Sequence, residues 1–305
     1  MTEDRLFYLS LLPFAATIIA VFILFISMLA IQSAPIFIHE GLAVYSSSIW
    51  RPVESNPSAE QYGLLAPIIG TFIVSLIAII VSLPPGLSLA IMIKEYLPTR
   101  LKNLMETIVE VMAGLPTVLY GMWASLLFAD ILREKIMVPI HGFLWFIPFF
   151  GCQPESPYTV FTAGVVLGIM IIPYMVGLIL DGLKQVPGKI WMACYSLGLT
   201  RYETIKVIMN YMKPVIIASL LLSLGRAAGE TIAVSLTIGN TYNIPACLFE
   251  PGYTVSSLIA DQFGNSVFYK YMASALYAGG LFLLLTGMAF SSIGLYLMRR
   301  WRINA

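Results

Sequence analysis

An all-α integral membrane protein with six transmembrane helices is the fold class this sequence predicts, on three observations. Apolar residues make up 59% of the chain and charged residues 11%, where a soluble domain is about half apolar and about a quarter charged. The apolar residues fall in six runs of about 20 residues or more, the length a helix rising ~1.5 Å per residue needs to cross ~30 Å of hydrocarbon. Basic residues gather in alternate connections between the runs, the bias that orients membrane helices.

The spans predicted are residues 6–31, 64–93, 101–132, 160–180, 215–238 and 267–298. The first is longer than the apolar core of a signal peptide and no A-x-A cleavage pattern follows it, so it reads as an anchor that stays. Twelve Lys and Arg residues lie on one side: Arg5, Lys94, Arg100, Lys102, Lys184, Lys189, Arg201, Lys206, Lys213, Arg299, Arg300 and Arg302. Four lie on the other, Arg51, Arg133, Lys135 and Lys270, and Arg226 falls inside a span. The positive-inside rule therefore places both termini in the cytoplasm. The near balance of 17 basic and 16 acidic residues leaves no basic patch for nucleic acid. His39, His141 and three cysteines without paired spacing offer no metal site.

Two outer connections are long and rich in turn formers; a third, HGFLWFIPFFGCQPESPY, is aromatic enough to lie along the membrane interface. Cys152 and Cys247 fall on this outer, oxidising side, where they either pair as a disulfide or remain as two thiols. Cys194 is predicted on the inner side.

The longest inner connection predicts a helix–turn–helix beneath the membrane. Pro187 opens the first helix, with Ile190, Trp191, Cys194 and Leu197 on one apolar face. Gly198 breaks it, and Thr200 caps a second helix with Glu203 three residues on. The apolar face either packs on the chain's own spans or is offered to a groove on a partner. Gly182 to Lys189 imitates a phosphate-binding loop but has the wrong spacing and lacks the Ser or Thr that would reach magnesium, so this chain binds no ATP there.

The fifth span carries Arg226 and Glu230. An ionised side chain at the bilayer centre costs roughly 2.5–3.5 kcal/mol on the insertion scale. Wound at ~100° per residue, Ser219, Ser223, Arg226, Glu230, Thr237 and Asn240 share about 100° of arc. The i, i+4 spacing lets Arg226 and Glu230 pair. A purely structural pair would leave the hydroxyls on that stripe unexplained, whereas a wet path suited to an oxyanion accounts for both, because guanidinium is a planar five-donor fork. Gly225 and Gly229, in small-xxx-small spacing, admit a neighbouring helix. Pro84, Pro85, Pro116 and Pro173 lie inside spans as candidate kinks.

GRAAGETIAVSLTIGNT resembles a core segment of the C-type membrane subunit of the phosphate-specific (Pst) importer, an ATP-binding-cassette system. The likeness extends to YGLLAPIIGT, KEYLP, GLPTVLYGMW, IMIIPY and PGYTVSSLIADQF. It implies the type I importer permease fold over residues 62–305, with residues 1–61 forming the anchor helix and first outer loop. It implies a cytoplasmic coupling segment at about 182–213, which docks the ATPase through Trp191, Met192, Ala193, Cys194, Leu197 and Gly198. Met192, Cys194 and the Asn210–Tyr211 pair depart from the family's coupling pattern, while Ala193, Gly198 and Ile208 match it. The resemblance further places Arg226 and Glu230 on charged positions of a phosphate path, which Ser223 and Thr237 of the polar stripe are expected to line with them. The implied partners are an A-type second permease, a dimer of ATP-binding subunits that uses ATP and magnesium, an extracytoplasmic phosphate-binding protein, and membrane lipid. No cofactor and no catalysis are expected of this chain, and its site is the cytoplasmic membrane. The rival is an ion-coupled secondary transporter of an oxyanion, which would work without partners. No carboxylate pair, Ser/His pair or metal set recurs inside the spans to suggest an intramembrane enzyme.

Overall fold

Helices account for nearly all the regular structure, and two of the six predicted spans are broken. The computed structural model describes the backbone of residues 2–304 and the side chains of Phe7 and residues 11–300. Helix α1 is Thr2–Glu40, α2 is Leu65–Ile91 with a π-helical turn at Met92–Tyr96, and α3 is Thr99–Ala113. Helix α4, Thr117–Leu144, contains π-helical stretches at Ala124–Phe128 and Arg133–Met137. There follow α5 (Val160–Lys184), α6 (Gly188–Ser196), α7 (Arg201–Tyr211), α8 (Lys213–Ala228), the short α9 (Ile232–Ser235), α10 (Val255–Gln262) and α11 (Met272–Asn304). Strands β1 (Trp50–Arg51) and β2 (Gln61–Tyr62) pair antiparallel, Trp50 opposite Tyr62.

Four helices are long and apolar enough to cross a membrane: Leu11–Glu40, Leu65–Tyr96, Val160–Lys184 and Met272–Arg300. Six result if each bent pair, α3 with α4 (85°) and α7 with α8 (63°), is one span. The third predicted span is thus not one helix. Gly114 ends α3, and Pro116, whose ring cannot continue the helix, precedes α4. Pro84, Pro85 and Pro173 differ, since α2 and α5 run through them.

The chain forms two compact units. The first joins residues up to Leu65 with Gln262–Phe282. It is wider than the predicted anchor and outer loop because buried Glu60 fastens them to the later segment. Its carboxylate accepts from the Tyr62 hydroxyl and from the backbone N–H groups of Lys270 (3.2 Å) and Tyr271 (3.0 Å).

The second unit, Ala66–Asp261 with the chain from Leu283 onward, is built around α5. Glycines admit its neighbours: a Cβ at Gly164 would sit 2.6 Å from Ile77 Cβ, and one at Gly182 2.6 Å from Val215 Cγ1. Gly70 of α2 lies against the 251–254 loop so closely that a Cβ there would meet the Tyr253 carbonyl at 2.0 Å. The N-terminus of α5 is tied to that loop's approach, with the N–H groups of Val160 and Phe161 donating to the carbonyls of Glu250 and Leu248. A disulfide joins Cys152 to Cys247 beside it.

The inner connection folds as two helices. Pro187 precedes α6, Gly198 adopts φ +72° in the turn, and Thr200 and Glu203 form the reciprocal capping box. The hydroxyl and N–H of Thr200 hold the Glu203 carboxyl below its ordinary range. The predicted apolar face divides. Ile190, Trp191 and buried Cys194 turn toward the chain's own core, whereas Leu197 is exposed together with Met192, Tyr195 and Tyr202.

Candidate functional site

The charged segment is not the continuous helix a single wheel assumes. Helix α8 stops at Ala228, Gly229 caps it, and α9 begins only at Ile232. Interrupted helices persist at membrane depth only where other groups satisfy the freed backbone. Here the Ser256 hydroxyl donates to the Glu230 carbonyl at 2.7 Å, and the Ala233 N–H donates to Glu230 Oε1 at 3.5 Å. Glu230, one residue before the N-cap Thr231, is therefore engaged with the first turn of α9.

This arrangement overturns the expected Arg226–Glu230 pair. Among the described residues no ion pair joins them; the break carries Glu230 off the turn where i, i+4 partners meet. Arg226 instead lies half-buried with its guanidinium carbon 4.9 Å from the centre of the Tyr174 ring, on α5. Such a cation–π contact is worth roughly 0.5–2 kcal/mol, whereas breaking a buried ion pair costs about 3–5 kcal/mol. The arginine is held by one face and has no acidic partner among the described residues.

The rest of the predicted polar stripe turns inward. Ser219 and Thr237 are buried, and their hydroxyls donate to the carbonyls of Val215 (2.9 Å) and Ala233 (2.7 Å), one turn back. Ser223 is fully buried with a hydroxyl unpartnered among the described residues. Asn240 donates to the Ser235 carbonyl at 3.0 Å. Ser223 and Thr237 therefore line no accessible surface of this chain, and of the predicted path residues only Arg226 and Glu230 are reachable. The two glycines also part ways. Gly225 faces α11, where a Cβ would lie 3.4 Å from Ser291 Oγ, while Gly229 serves to end the helix.

Beside Tyr174 opens a cleft of about 200 Å³ lined by Val109, Glu110, Ala113, Pro173, Gly177 and Asp181. A Cβ at Gly177 would meet nothing within 4 Å. One turn below, Lys184 bonds Glu106 at 3.2 Å and ties α5 to α3. No local signal in the sequence linked Tyr174 or Ser256 to the charged segment, since both come from elements distant along the chain.

The family of binding-protein-dependent transport system inner membrane components matches residues 86–303. A probable phosphate transport system permease protein PstC of Methanocaldococcus jannaschii is 42% identical over 93% of this chain and 91% of its own length. The chain belongs to the PstC permease family. Two further PstC relatives, of Pasteurella multocida (35% identical; 83% of this chain, 80% of theirs) and Xylella fastidiosa (32%; 81% and 76%), agree. This PstC-type permease is a multi-pass protein of the cytoplasmic membrane. Its charged break, Arg226 to Glu230, lies within the matched region, as do α6 and α7.

Proposed function

We propose that this permease is the C-type membrane subunit of an ATP-driven importer of inorganic phosphate. It crosses the membrane six times with both termini cytoplasmic, and it works with an A-type permease, a dimer of ATP-binding subunits and an extracytoplasmic phosphate-binding protein. The relatives' names motivate the solute. The charge bias motivates the topology, and the Cys152–Cys247 disulfide suits an outer, oxidising face.

The observation that carries the mechanism is an arginine at membrane depth, beside a helix break, with its N–H edge unclaimed by any carboxylate among the described residues. An oxyanion released from the binding protein meets a planar donor fork there. Glu230, bound to the start of α9, does not compete for the fork. The hold must be weak enough to release the anion, and no second fixed charge is spent on the arginine. Met192, Tyr195 and Leu197 of the α6 turn present an exposed apolar surface to the ATPase. Trp191 and Cys194, facing the core, transmit its motion to α5 and α8. ATP and magnesium act in the partner subunits.

The test is uptake of radiolabelled phosphate by the reconstituted four-component importer. Arg226→Ala should abolish uptake while the subunits still copurify, and Arg226→Lys should be impaired because an ammonium lacks the bidentate fork. Normal uptake by Arg226→Ala would remove the path from this residue. Uptake by this chain alone under an ion gradient, without ATPase, would favour a secondary transporter.

A further inference from the structure

Tyr174 is the one aromatic ring that meets the arginine among the described residues, and it also lines the cleft shared with Glu110 and Asp181. An arginine at membrane depth can be held by a carboxylate or by an aromatic face. A carboxylate would claim its N–H edge and hold it in competition with the anion. A ring face attracts the cation through its quadrupole and leaves the N–H edge, which lies in the guanidinium plane, unclaimed. The structure has the second arrangement, with neither Glu110 nor Asp181 ion-paired to Arg226 among the described residues.

From this we infer that Tyr174 is a positioning residue for phosphate passage: its ring face holds Arg226 with the donor edge left free for the anion. The inference rests on the proposed path through Arg226 and adds a residue that acts on phosphate only through that arginine. The phenolic hydroxyl has no part in it, because what holds the cation is the negative face of the ring.

The experiment grades that face without changing its shape. Tyr174 is replaced in the full importer by phenylalanine and then by mono-, di- and trifluorophenylalanine, with Arg226→Ala as the reference and subunit copurification as the check on assembly. Tyr174→Phe should transport phosphate within about twofold of the parent, and uptake should fall stepwise with each fluorine, to about fivefold below Phe for the trifluoro ring. Tyr174→Leu should fall at least as far. A flat fluorine series, or loss of uptake already in Tyr174→Phe, would overturn the inference. With Arg226→Ala inactive, either result leaves the arginine path standing. Normal uptake by Arg226→Ala would overturn the path and the inference together.

Discussion

Helices α1 and α5 are both apolar enough to cross a membrane, yet their surroundings are opposite. In α5 72% of the most apolar window is buried within the protein; in α1 the share is 6%. The difference lies in small residues at the faces. Gly164, Gly168 and Gly182 of α5 each take a neighbour's side chain into the space where a Cβ would be. Helix α1 presents Phe14, Ile18, Ile19, Phe22 and Leu24 outward, side chains that lipid satisfies as well as protein does. Apolarity brings a helix into the membrane, and the glycines of α5 let its neighbours pack closely around it.

The loop tied to the start of α5 gives the largest expected effect. Cys152→Ser opens a disulfide that bridges residues 95 apart, and removing such a bond typically costs about 2–5 kcal/mol. The permease should lose thermal stability in detergent, and a membrane-impermeant maleimide should then label Cys247. Next is Gly164→Leu, which drives a side chain into Ile77 and should cost about 1–3 kcal/mol or more. Ala16→Leu on the exposed face of α1 should leave the melting temperature unchanged. Equal effects of the two substitutions would break the comparison.

Gly177→Leu sharpens it, because Gly177 is a glycine of α5 that faces open cleft. The helix should tolerate it, gaining up to about 1 kcal/mol of helix propensity, read as an unchanged or slightly raised melting temperature. The smallest effect belongs to the α7 cap beyond the end of α5. Thr200→Ala should cost about 1 kcal/mol, read as faster amide exchange in the first turn of α7. Acidification should likewise lower the protection of those amides, measured relative to their pH-dependent intrinsic exchange rates. The Glu203 carboxyl sits below its ordinary range in the folded chain, so its contribution is complete above the ordinary carboxylate pKa and is lost as pH falls through the folded value.

The amino-acid sequence by itself determined the features whose causes are local. Hydropathy located six apolar stretches, the Thr200–Glu203 spacing located a cap that formed as read, and the charge in a lipid-like segment singled out Arg226. The cysteine pair was legible only as a possibility, because nothing near Cys152 says where Cys247 lies. A helical wheel presumes one unbroken axis, and that presumption put Thr237 on one stripe with Arg226, whereas Ser223, on the same helix as Arg226, is buried by packing that a wheel does not record. Only the tertiary structure decided that the axis ends at Ala228, since the break depends on Ser256 arriving from another element to bond the Glu230 carbonyl. It likewise decided that Arg226 rests on Tyr174 and not on Glu230. Backbone groups and buried charges take whichever partner packing brings within reach, and sequence separation does not record that choice.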